Sequence, residues 1–483
     1  MPAELRARTE GGSPGEGPLP FGLSRVAAEA SALAAILIGA GLLFANGLRA
    51  GATWDEAVYL GQTDALAHGQ HLGTGVFTAQ PPGFHWLLLA ASWIDGVGID
   101  QLRLADMAVA LVGLLAVYAA GRAVAGPVAG LLSAALLAIA PSYPTFAAEI
   151  SADLPGTVLA ALSLACFVVP TRHRRLRLVA AGLLFAAAES VKLDAFILLL
   201  PVPLYCAGRR LRLADLGIAA SAVAIAFVAG AAALGGALPG VWRSAVAYHV
   251  AARRFGGSTS ANVHALESFF HPHQPFTWLT LVAAVAALLL RPRTQLPLWP
   301  LWITAAASVL FLLWHKPLRD NHLVLLAVAL AVPVGASLAA AATQLHRLKP
   351  VALGGLAVVL AAAYAQDVYH LRKQVPLMPG LTWAAKRVEA AVPPGRLVVS
   401  DQPIVPFLAH RRMPGQTIDT ALLRFDSGYL TDRTVLRAID EYRVPVVVVG
   451  RSFYTRPRIL AVLAKQFPRH VTFDTITVYY RSR

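Results

Sequence analysis

The chain has 483 residues, of which 57% are hydrophobic and 14% are charged, and its mean hydropathy is +0.60. Soluble domains carry about a quarter charged residues, and repeated apolar stretches of about 18 or more residues are typical of membrane-spanning helices. The net charge of +15 resides mostly in short clusters between those stretches, which indicates membrane topology and excludes a nucleic-acid interface. Cys166 and Cys206 lie in apolar segments, so neither a disulfide framework nor a redox site is predicted.

The first part of the chain predicts one span followed by a large outer loop. Residues 1–25 are rich in Gly and Pro and carry arginines, which predicts a disordered cytoplasmic N-terminus. The apolar run at residues 26–48 is longer than the apolar region of a signal peptide, so we interpret it as an uncleaved first span. Residues 49–100 then form the first outer loop.

This loop opens with a helix start and a pair of carboxylates. Thr53 and Glu56 have the spacing of a capping box, so we expect a helix from here to about His68. Asp55 falls in the first turn, where unpaired N–H groups and the helix dipole favour an ionised carboxylate. Such a carboxylate at a membrane surface is a candidate general base. The alternative is that Asp55 is merely solvated and that Glu56 only caps the helix.

Basic clusters set the direction of the later spans. We predict the later spans at residues 102–124, 127 to about 141, 154–170, 214–234, 276–290, 296–314, 323–342 and 351–366. The second outer loop falls at residues 143–153, and a long outer loop falls at residues 235–275. In this order the basic clusters at residues 172–177, 209–212, 291–293 and 347–349 all fall inside.

The apolar run at residues 178–206 has basic clusters on both sides, so it must cross the membrane an even number of times. It is too short for two full spans of about 20 residues each. Its polar interruption at residues 189–194 therefore predicts the bend of a short helical hairpin. Lys192 and Asp194 lie at this bend, where charges are costly and indicate function, unless the two side chains form a structural ion pair.

Residues 367–483 are more polar and contain no apolar run long enough to span. Residues 397–400 and 444–449 predict buried strands, 431–441 and 456–466 predict helices, and 471–480 predicts one alternating strand. We expect a small extracytoplasmic α/β domain. It shows no spacing typical of a nucleophile triad, a metal site or a phosphate loop.

Ionisable residues near the outer ends of the predicted spans favour transfer from a lipid phosphate. They are Asp55, Glu56, His85, Glu149, Asp153, Arg319 and His322, with Lys192 and Asp194 at the bend. A phosphate leaves as a stable anion, so the reaction needs one base for the acceptor hydroxyl and cations for the phosphate. Arg319 and Lys316 could instead anchor at the interface by snorkelling. Four histidines at residues 249, 264, 271 and 273 match no metal-ligand spacing.

The order of these features resembles the protein O-mannosyltransferase and aminoarabinose-transferase family, within the C-type membrane glycosyltransferases. The matching residues are Asp55-Glu56, Tyr59, Gln80-Pro81-Pro82, Ala152-Asp153-Leu154-Pro155, Lys192, and Arg319 with His322 before an apolar span. The resemblance covers residues 26–345, and the Asp-Glu pair after the first span is its most specific element.

This resemblance implies a polyprenyl-phosphate sugar donor and an inverting transfer. Asp55 matches the family's catalytic aspartate, and Asp153 matches its second-loop acid. We predict that both are catalytic, with Asp153 helping to position the acceptor or a metal. Lys192, Arg319 and His322 fall where the family places groups that meet the lipid phosphate. We add Glu56, Tyr59, His85 and Glu149 as substrate-binding candidates. Two departures are that residues 147–151 lack the arginine that often precedes the second-loop acid, and that Asn321-His322 stands where the family usually has an Arg-Tyr pair.

We therefore predict a polytopic α-helical membrane protein of about eleven spans, with a transmembrane glycosyltransferase domain at residues 26–366 and an extracytoplasmic α/β domain at 367–483. In the plasma membrane it would transfer a sugar from a polyprenyl phosphate to an outer hydroxyl of an envelope glycan, lipid or protein. A divalent metal is one option for binding the phosphate. The alternatives are a transporter of lipid-linked sugar, which would typically show paired repeats, and a non-catalytic assembly protein, which would tolerate loss of Asp55.

Overall fold

The structure is a computed structural model that describes residues 24–208, 210–290, 294–344 and 349–482. The predicted disordered segment at residues 1–25 lies outside these ranges except for its last two residues. Arg209, the basic cluster at residues 291–293 and most of the cluster at 347–349 lie outside them as well.

The described chain is mostly α-helical. Its first half contains α1 (Arg25–Ala45), α2 (Trp54–Ala67), α3 (Pro82–Ser92), α4 (Ile99–Ala125), α5 (Pro127–Ala138), α6 (Tyr143–Phe146), α7 (Asp153–Val168), α8 (Arg174–Val191), α9 (Pro201–Ala207) and α10 (Leu213–Leu234). The second half contains α11 (Leu238–Trp242), α12 (Tyr248–Ala252), α13 (Thr259–Phe269), α14 (Pro275–Leu290), α15 (Trp299–Trp314), α16 (Leu323–Gln344), α17 (Lys349–Arg372), α18 (Pro379–Ala391), α19 (Ile404–Leu408), α20 (Leu422–Asp426), α21 (Asp432–Glu441) and α22 (Pro457–Gln466).

Helix α16 forms the centre of the helical bundle. Nearly all its side chains from Leu323 to Ala340 are buried, as expected for a helix that is apolar on every face. It packs against α4, α5, α7, α14 and α15. Its approach to α5 depends on Gly335, where an added Cβ would lie 2.6 Å from the Ser133 Oγ.

Several helices have the length and composition of membrane spans. Within the described ranges, four helical stretches are long and apolar enough to cross a membrane: Arg25–Arg49, Ile99–Ala125, Leu213–Phe255 and Asp320–Gln344. Shorter apolar helices, α5, α7, α14 and α15 among them, complete the bundle. The protein is thus a polytopic helical membrane protein, as predicted, while the count of eleven spans and the domain boundaries stay predictions.

The predicted interruption of the apolar run at residues 178–206 is present. Helix α8 ends at Val191, Lys192 has extended backbone, and a 3₁₀ turn at Ala195–Leu199 leads into α9. Gly156 of α7 packs against this break, where an added Cβ would lie 2.6 Å from the Lys192 Cβ. The first turn of α7 therefore lies beside Lys192.

The segment at residues 235–275, which we interpreted as a long loop, is largely helical. Short helical segments including α11 and α12 continue from α10, and α13 follows before α14. The loop prediction missed α11 and α12 because a helix of five residues is too short to show a clear apolar period.

Near the C-terminus a four-stranded sheet packs with α18, α19, α21 and α22. Its strands are β1 (Val399–Ser400), β2 (Val446–Val449), β3 (Arg469–Phe473) and β4 (Ile476–Tyr480), in the order β1-β2-β4-β3. Strands β1 and β2 are parallel, and the other pairs are antiparallel.

The prediction of one strand at residues 471–480 is wrong, because β3 and β4 form a hairpin. The chain turns at Asp474, whose φ is +55°. An aspartate tolerates this left-handed conformation better than most residues. Val471 and Phe473 alternate with polar residues before the turn, and Ile476 and Val478 do so after it, which is why the pattern resembled one strand.

This C-terminal unit docks on α2 and the first outer loop. Ala57 packs in the core formed by α18 and its neighbours, and Ile418 contacts Gly61, where an added Cβ would lie 3.0 Å from the Ile418 Cγ2. The side chain of Gln416 donates to the backbone oxygens of Thr74 and Gly75 at 3.2 and 3.3 Å. These contacts place the C-terminal unit beside the helix that carries Asp55.

Candidate active site

The N-terminus of α2 is capped as the sequence predicts. The Thr53 Oγ1 accepts from the Glu56 backbone N–H at 3.3 Å, and the Glu56 Oε2 accepts from the Thr53 backbone N–H at 2.9 Å. Asp55 lies in the first turn of this helix and is exposed. The capping box therefore directs the two adjacent carboxylates to different environments.

Glu56 is fully buried and is paired with Arg103 of α4. The guanidinium donates to the two carboxylate oxygens at 2.7 and 2.6 Å. It also donates to the backbone oxygens of Leu48, Ala50 and Gly51 at 2.8 to 3.2 Å. Glu56 thus ties the first outer loop to α4 and is not exposed to a substrate.

The same network reaches the second outer loop. The Glu56 Oε1 accepts from the Ile150 backbone N–H at 3.0 Å, and the Asp106 Oδ2, one turn after Arg103, accepts from the Ser151 backbone N–H at 3.1 Å. Sequence reasoning missed Arg103 and Asp106. The available signal was the presence of two charged residues near the start of an apolar span, since such residues are almost always paired.

The Asp55 side chain is exposed at the start of α2, where Arg451 of the C-terminal unit contacts the neighbouring Trp54. Desolvation there raises the pKa of the Asp55 carboxyl, with Asp419 and Asp153 raising it further and Arg319 and Arg451 lowering it. A raised pKa brings a carboxylate closer to the operating range of a general base.

The second predicted carboxylate, Asp153, is buried and bonded to other side chains. Its Oδ1 lies 3.1 Å from the Lys192 Nζ and 3.9 Å from the His322 Nε2. Its Oδ2 accepts from the Asn321 amide at 2.6 Å. Lys192 thus pairs with Asp153 and not with Asp194, which answers the question about the ion pair at the bend. Asn321 and His322, which stand where the family usually has an Arg-Tyr pair, thus both contact Asp153.

A cavity of about 270 Å³ lies beside this cluster. Its charged and imidazole side chains are Lys192, Asp194, His249, Arg253, His315, Lys316 and His322. Its apolar wall includes Phe196, Phe311 and Trp314. The lining thus contains three cationic side chains and one carboxylate, so the cavity combines positive charge with an apolar surface. We call it the cationic cavity.

Arg253 was not among the predicted residues. Its guanidinium lies 3.2 Å from the centroid of the Trp314 ring and donates to the Trp314 backbone oxygen at 3.0 Å. Since it comes from the segment interpreted as a loop, no sequence pattern pointed to it. Lys316, considered as an interfacial anchor, also lines the cationic cavity.

Arg319 is exposed and does not line the cationic cavity. Its backbone N–H donates to the His322 Nδ1 at 2.9 Å, while its positive charge acts on Asp55. The structure therefore brings Lys192 and His322 together in the cationic cavity and places Arg319 nearer to Asp55.

Two predicted substrate-binding residues lie in the interior. The Tyr59 hydroxyl accepts from the Gln80 amide at 3.0 Å, and the Tyr59 ring packs on Phe84. His85 is fully buried, its Nε2 lies 2.5 Å from the Thr78 Oγ1, and desolvation lowers its pKa to about 3. Neither residue lines the cationic cavity; both stabilise the loop around Gln80.

Glu149 lies away from the cationic cavity, in a second cavity of about 240 Å³ that Thr53 and Arg103 also line. Its Oε1 accepts from the Thr53 hydroxyl at 3.0 Å. Burial, together with the charges of Glu56 and Asp55, raises its pKa to about 8. Glu149 is therefore a protonated side chain at neutral pH.

We expect Glu149 to make stability depend on pH. Between pH 4.5 and about 8, the folded protein keeps a proton that the unfolded chain releases, so stability falls as pH rises. Glu149→Gln removes this effect. The apparent Tm of the Glu149→Gln protein in detergent should exceed that of the parent protein. This difference should grow from pH 4.5 to about 8 and stay constant at higher pH. The exposed Glu267→Gln is the control, and a difference that is flat with pH would contradict the assignment.

Metal ligands are not assembled in the part of the chain that the structure describes. No group of three or more His, Cys, Asp or Glu side chains there could hold a metal ion. Of the four histidines in the segment at 235–275, His249 contacts the Ala79 oxygen and His264 pairs with Glu267. A metal-assisted phosphate site therefore has no support from these side chains.

Several solved structures share this fold. ArnT from Cupriavidus metallidurans bound to undecaprenyl phosphate gives a TM-score of 0.69 at 16% identity, over 94% of this chain and 98% of ArnT. The oligosaccharyltransferase AglB from Archaeoglobus fulgidus, in complex with an inhibitory peptide and a dolichol-phosphate, gives 0.53 at 14% identity, over 93% of this chain and 74% of AglB. The chain therefore shares its fold with ArnT and AglB. No curated protein sequence matches the chain.

The sequence itself also matches a family model. Residues 79–235 match the dolichyl-phosphate-mannose-protein mannosyltransferase family. The matched part includes Asp153 and Lys192 but neither Asp55 nor Arg319. The predicted resemblance to this family is confirmed over this part of the chain.

Proposed function

We propose that the protein transfers a sugar from a polyprenyl phosphate to an acceptor hydroxyl, with Asp55 as the general base. The observation that carries this proposal is the position of Asp55. It is exposed at a capped helix N-terminus, close enough to Asp153 and Arg319 for their charges to act on it. The neighbouring Glu56 is not free to act as a base, because Arg103 donates to both of its carboxylate oxygens.

The chemistry requires a base and an anion-binding site. The Asp55 carboxylate removes the proton of the acceptor hydroxyl, whose oxygen bonds to the anomeric carbon of the donor sugar. The bond from that carbon to the phosphate oxygen breaks, and the polyprenyl phosphate leaves with the electron pair. Attack opposite the leaving group inverts the anomeric configuration. No general acid is needed, because cations stabilise the departing phosphate.

The cationic cavity suits the polyprenyl phosphate. Arg253 and Lys316 carry positive charge without a carboxylate partner among the described ion pairs, and Lys192 adds charge at the break after α8. The aromatic wall of Phe196, Phe311 and Trp314 offers apolar surface to the prenyl chain. That ArnT was solved with undecaprenyl phosphate and AglB with a dolichol-phosphate supports the same donor class here.

Asp153 acts in this proposal as a positioning residue. Its two oxygens bind Lys192 and Asn321, so it orients the lysine and is not open to the acceptor. The sequence predicted that Asp153 positions the acceptor or a metal directly, and we now propose that it acts indirectly, through Lys192. Arg319, close to Asp55, would meet the donor phosphate from the side of the reacting carbon.

The proposed topology keeps the predicted orientation. We place residues 1–25 in the cytoplasm, 26–366 in the plasma membrane and 367–483 outside the cell. The basic clusters at residues 172–177 and 209–212 then face the cytoplasm. The acceptor would be an envelope glycan, lipid or protein.

The donor site is tested by undecaprenyl phosphate binding to the purified protein. Arg253→Gln removes a cation from the cationic cavity and should weaken binding about tenfold or more, because a hydrogen bond to a charged group is lost. The adjacent Arg254→Gln is the matched control, since Arg254 is exposed and does not line the cavity. Equal affinities of the parent and Arg253→Gln proteins would show that the phosphate binds elsewhere.

A further inference from the structure

We infer that the C-terminal unit forms an acceptor subsite for a neutral saccharide, with Asp419 and Arg451 as its specificity-determining residues. The subsite lies where this unit meets the start of α2. The inference rests on the proposed function, since it assigns the acceptor of the same reaction.

Arg451 is held at this junction by the sheet. Strands β1 and β2 are parallel, so their carboxyl ends lie at one edge, where ligands of such sheets are commonly bound. Asp401 after β1 accepts from the backbone N–H groups of Gly450, Arg451 and Phe453 at 2.7, 2.9 and 2.7 Å. The Arg451 guanidinium lies over the ring of Trp54, 4.7 Å from its centroid. Since Trp54 precedes Asp55, the sheet edge presents a cation beside the proposed base.

Asp419 approaches from a second segment of the C-terminal unit. It follows Ile418, which contacts Gly61 of α2. Its Oδ1 accepts from the Ala421 backbone N–H at 3.0 Å, and no hydrogen bond to its Oδ2 occurs within the described ranges. The buried carboxylate is thus fixed, with one oxygen open.

Both residues are close enough to Asp55 for their charges to act on it. Asp419 raises the pKa of the Asp55 carboxyl, whereas Arg451 lowers it. Two donors near these residues also lack partners in the part of the chain that the structure describes: the Trp54 Nε1 and the Thr420 hydroxyl. The junction therefore has an open carboxylate oxygen, an exposed guanidinium and unpaired donors.

This combination indicates the chemistry of the ligand. A saccharide presents neighbouring hydroxyls that donate to a carboxylate and accept from a guanidinium or an indole N–H. Two carboxylates, Asp55 and Asp419, and two guanidiniums, Arg451 and Arg319, balance in charge here, so neither an anionic nor a cationic acceptor is favoured. Anionic groups are instead attracted to the cationic cavity, so donor and acceptor are separated by charge. A neutral saccharide satisfies both sides.

The test is the binding of methyl glycosides to the full-length protein in the presence of undecaprenyl phosphate, measured by saturation-transfer NMR. The probes are the methyl glycosides of mannose, glucose, galactose and arabinose, with dodecylamine and phosphatidylglycerol as charged comparisons. We expect at least one glycoside to bind, and Asp419→Asn and Arg451→Gln each to weaken it about tenfold or more. Asp440→Asn, at an exposed aspartate of α21, should leave it unchanged.

The outcomes separate this inference from the donor proposal. Undecaprenyl phosphate should bind equally well to the parent and to all three variants. Because Arg451 is exposed, Arg451→Gln remains informative if Asp419→Asn does not fold. Glycoside binding unaffected by Arg451→Gln, or binding of a charged probe alone, would overturn the inference. Failure of the parent to bind undecaprenyl phosphate would instead overturn the proposed donor.

Discussion

Arg103→Met should destabilise the protein more than any other single substitution considered for this fold. It leaves the Glu56 carboxylate buried without its partner, and breaking a buried ion pair in this way typically costs about 3–5 kcal/mol. It also removes the donors to the backbone oxygens of Leu48, Ala50 and Gly51. The first outer loop would lose its link to α4, and with it the position of Asp55.

The measurement is the apparent Tm of the purified protein in detergent. We expect Arg103→Met to lower it strongly or to prevent accumulation of folded protein. The double variant Arg103→Met/Glu56→Gln should recover part of the loss, because the unpaired charge is gone while the glutamine can still cap α2. Arg49→Met, at an exposed arginine nearby, is the control. An Arg103→Met protein as stable as this control would contradict the structural role of the pair.

The helix start at Asp55 could be predicted because its signal is local. A capping box lies within four consecutive residues and depends on no distant contact. The break after α8 could be predicted equally well. It is specified by polar residues within an apolar run and by basic clusters on both sides of that run. The resemblance to the family followed from the order of a few such features.

Partners across the fold could not be predicted in the same way. Lys192 is 39 residues from Asp153 in the sequence, and only the packing of α7 against the break brings them together. Its nearer neighbour Asp194 was the alternative that the sequence left open, and the structure pairs Lys192 with Asp153 instead. Glu56 was a candidate ligand because its pairing with Arg103 depends on a helix that begins far downstream.

The role of the C-terminal unit was the hardest to predict from the sequence. Asp419 and Arg451 belong to no motif, and each is an ordinary charged residue in a polar segment. They reach the site because the carboxyl ends of β1 and β2 meet at one edge and because this unit packs against α2. Such a juxtaposition has no counterpart in the local sequence.

Asp55→Asn should abolish turnover while leaving the fold and the donor site intact. The asparagine keeps the size of the side chain but cannot accept the acceptor's proton. General-base catalysis is typically worth about a hundred- to ten-thousandfold in rate. Because Asp55 is exposed and the cap of α2 depends on Thr53 and Glu56, we expect an unchanged apparent Tm and unchanged affinity for undecaprenyl phosphate.

The most direct measurement is the release of undecaprenyl phosphate by the protein in proteoliposomes. The donors are the undecaprenyl phosphate esters of mannose, glucose and arabinose, and the acceptors are the methyl glycosides named above. The account predicts release from at least one donor, with inversion at the anomeric carbon, by the parent protein and by the control Asp95→Asn, at an exposed aspartate of the same loop. It predicts a loss of this release in Asp55→Asn. Release by Asp55→Asn at the rate of the parent, or release from none of the donors by the parent, would contradict it.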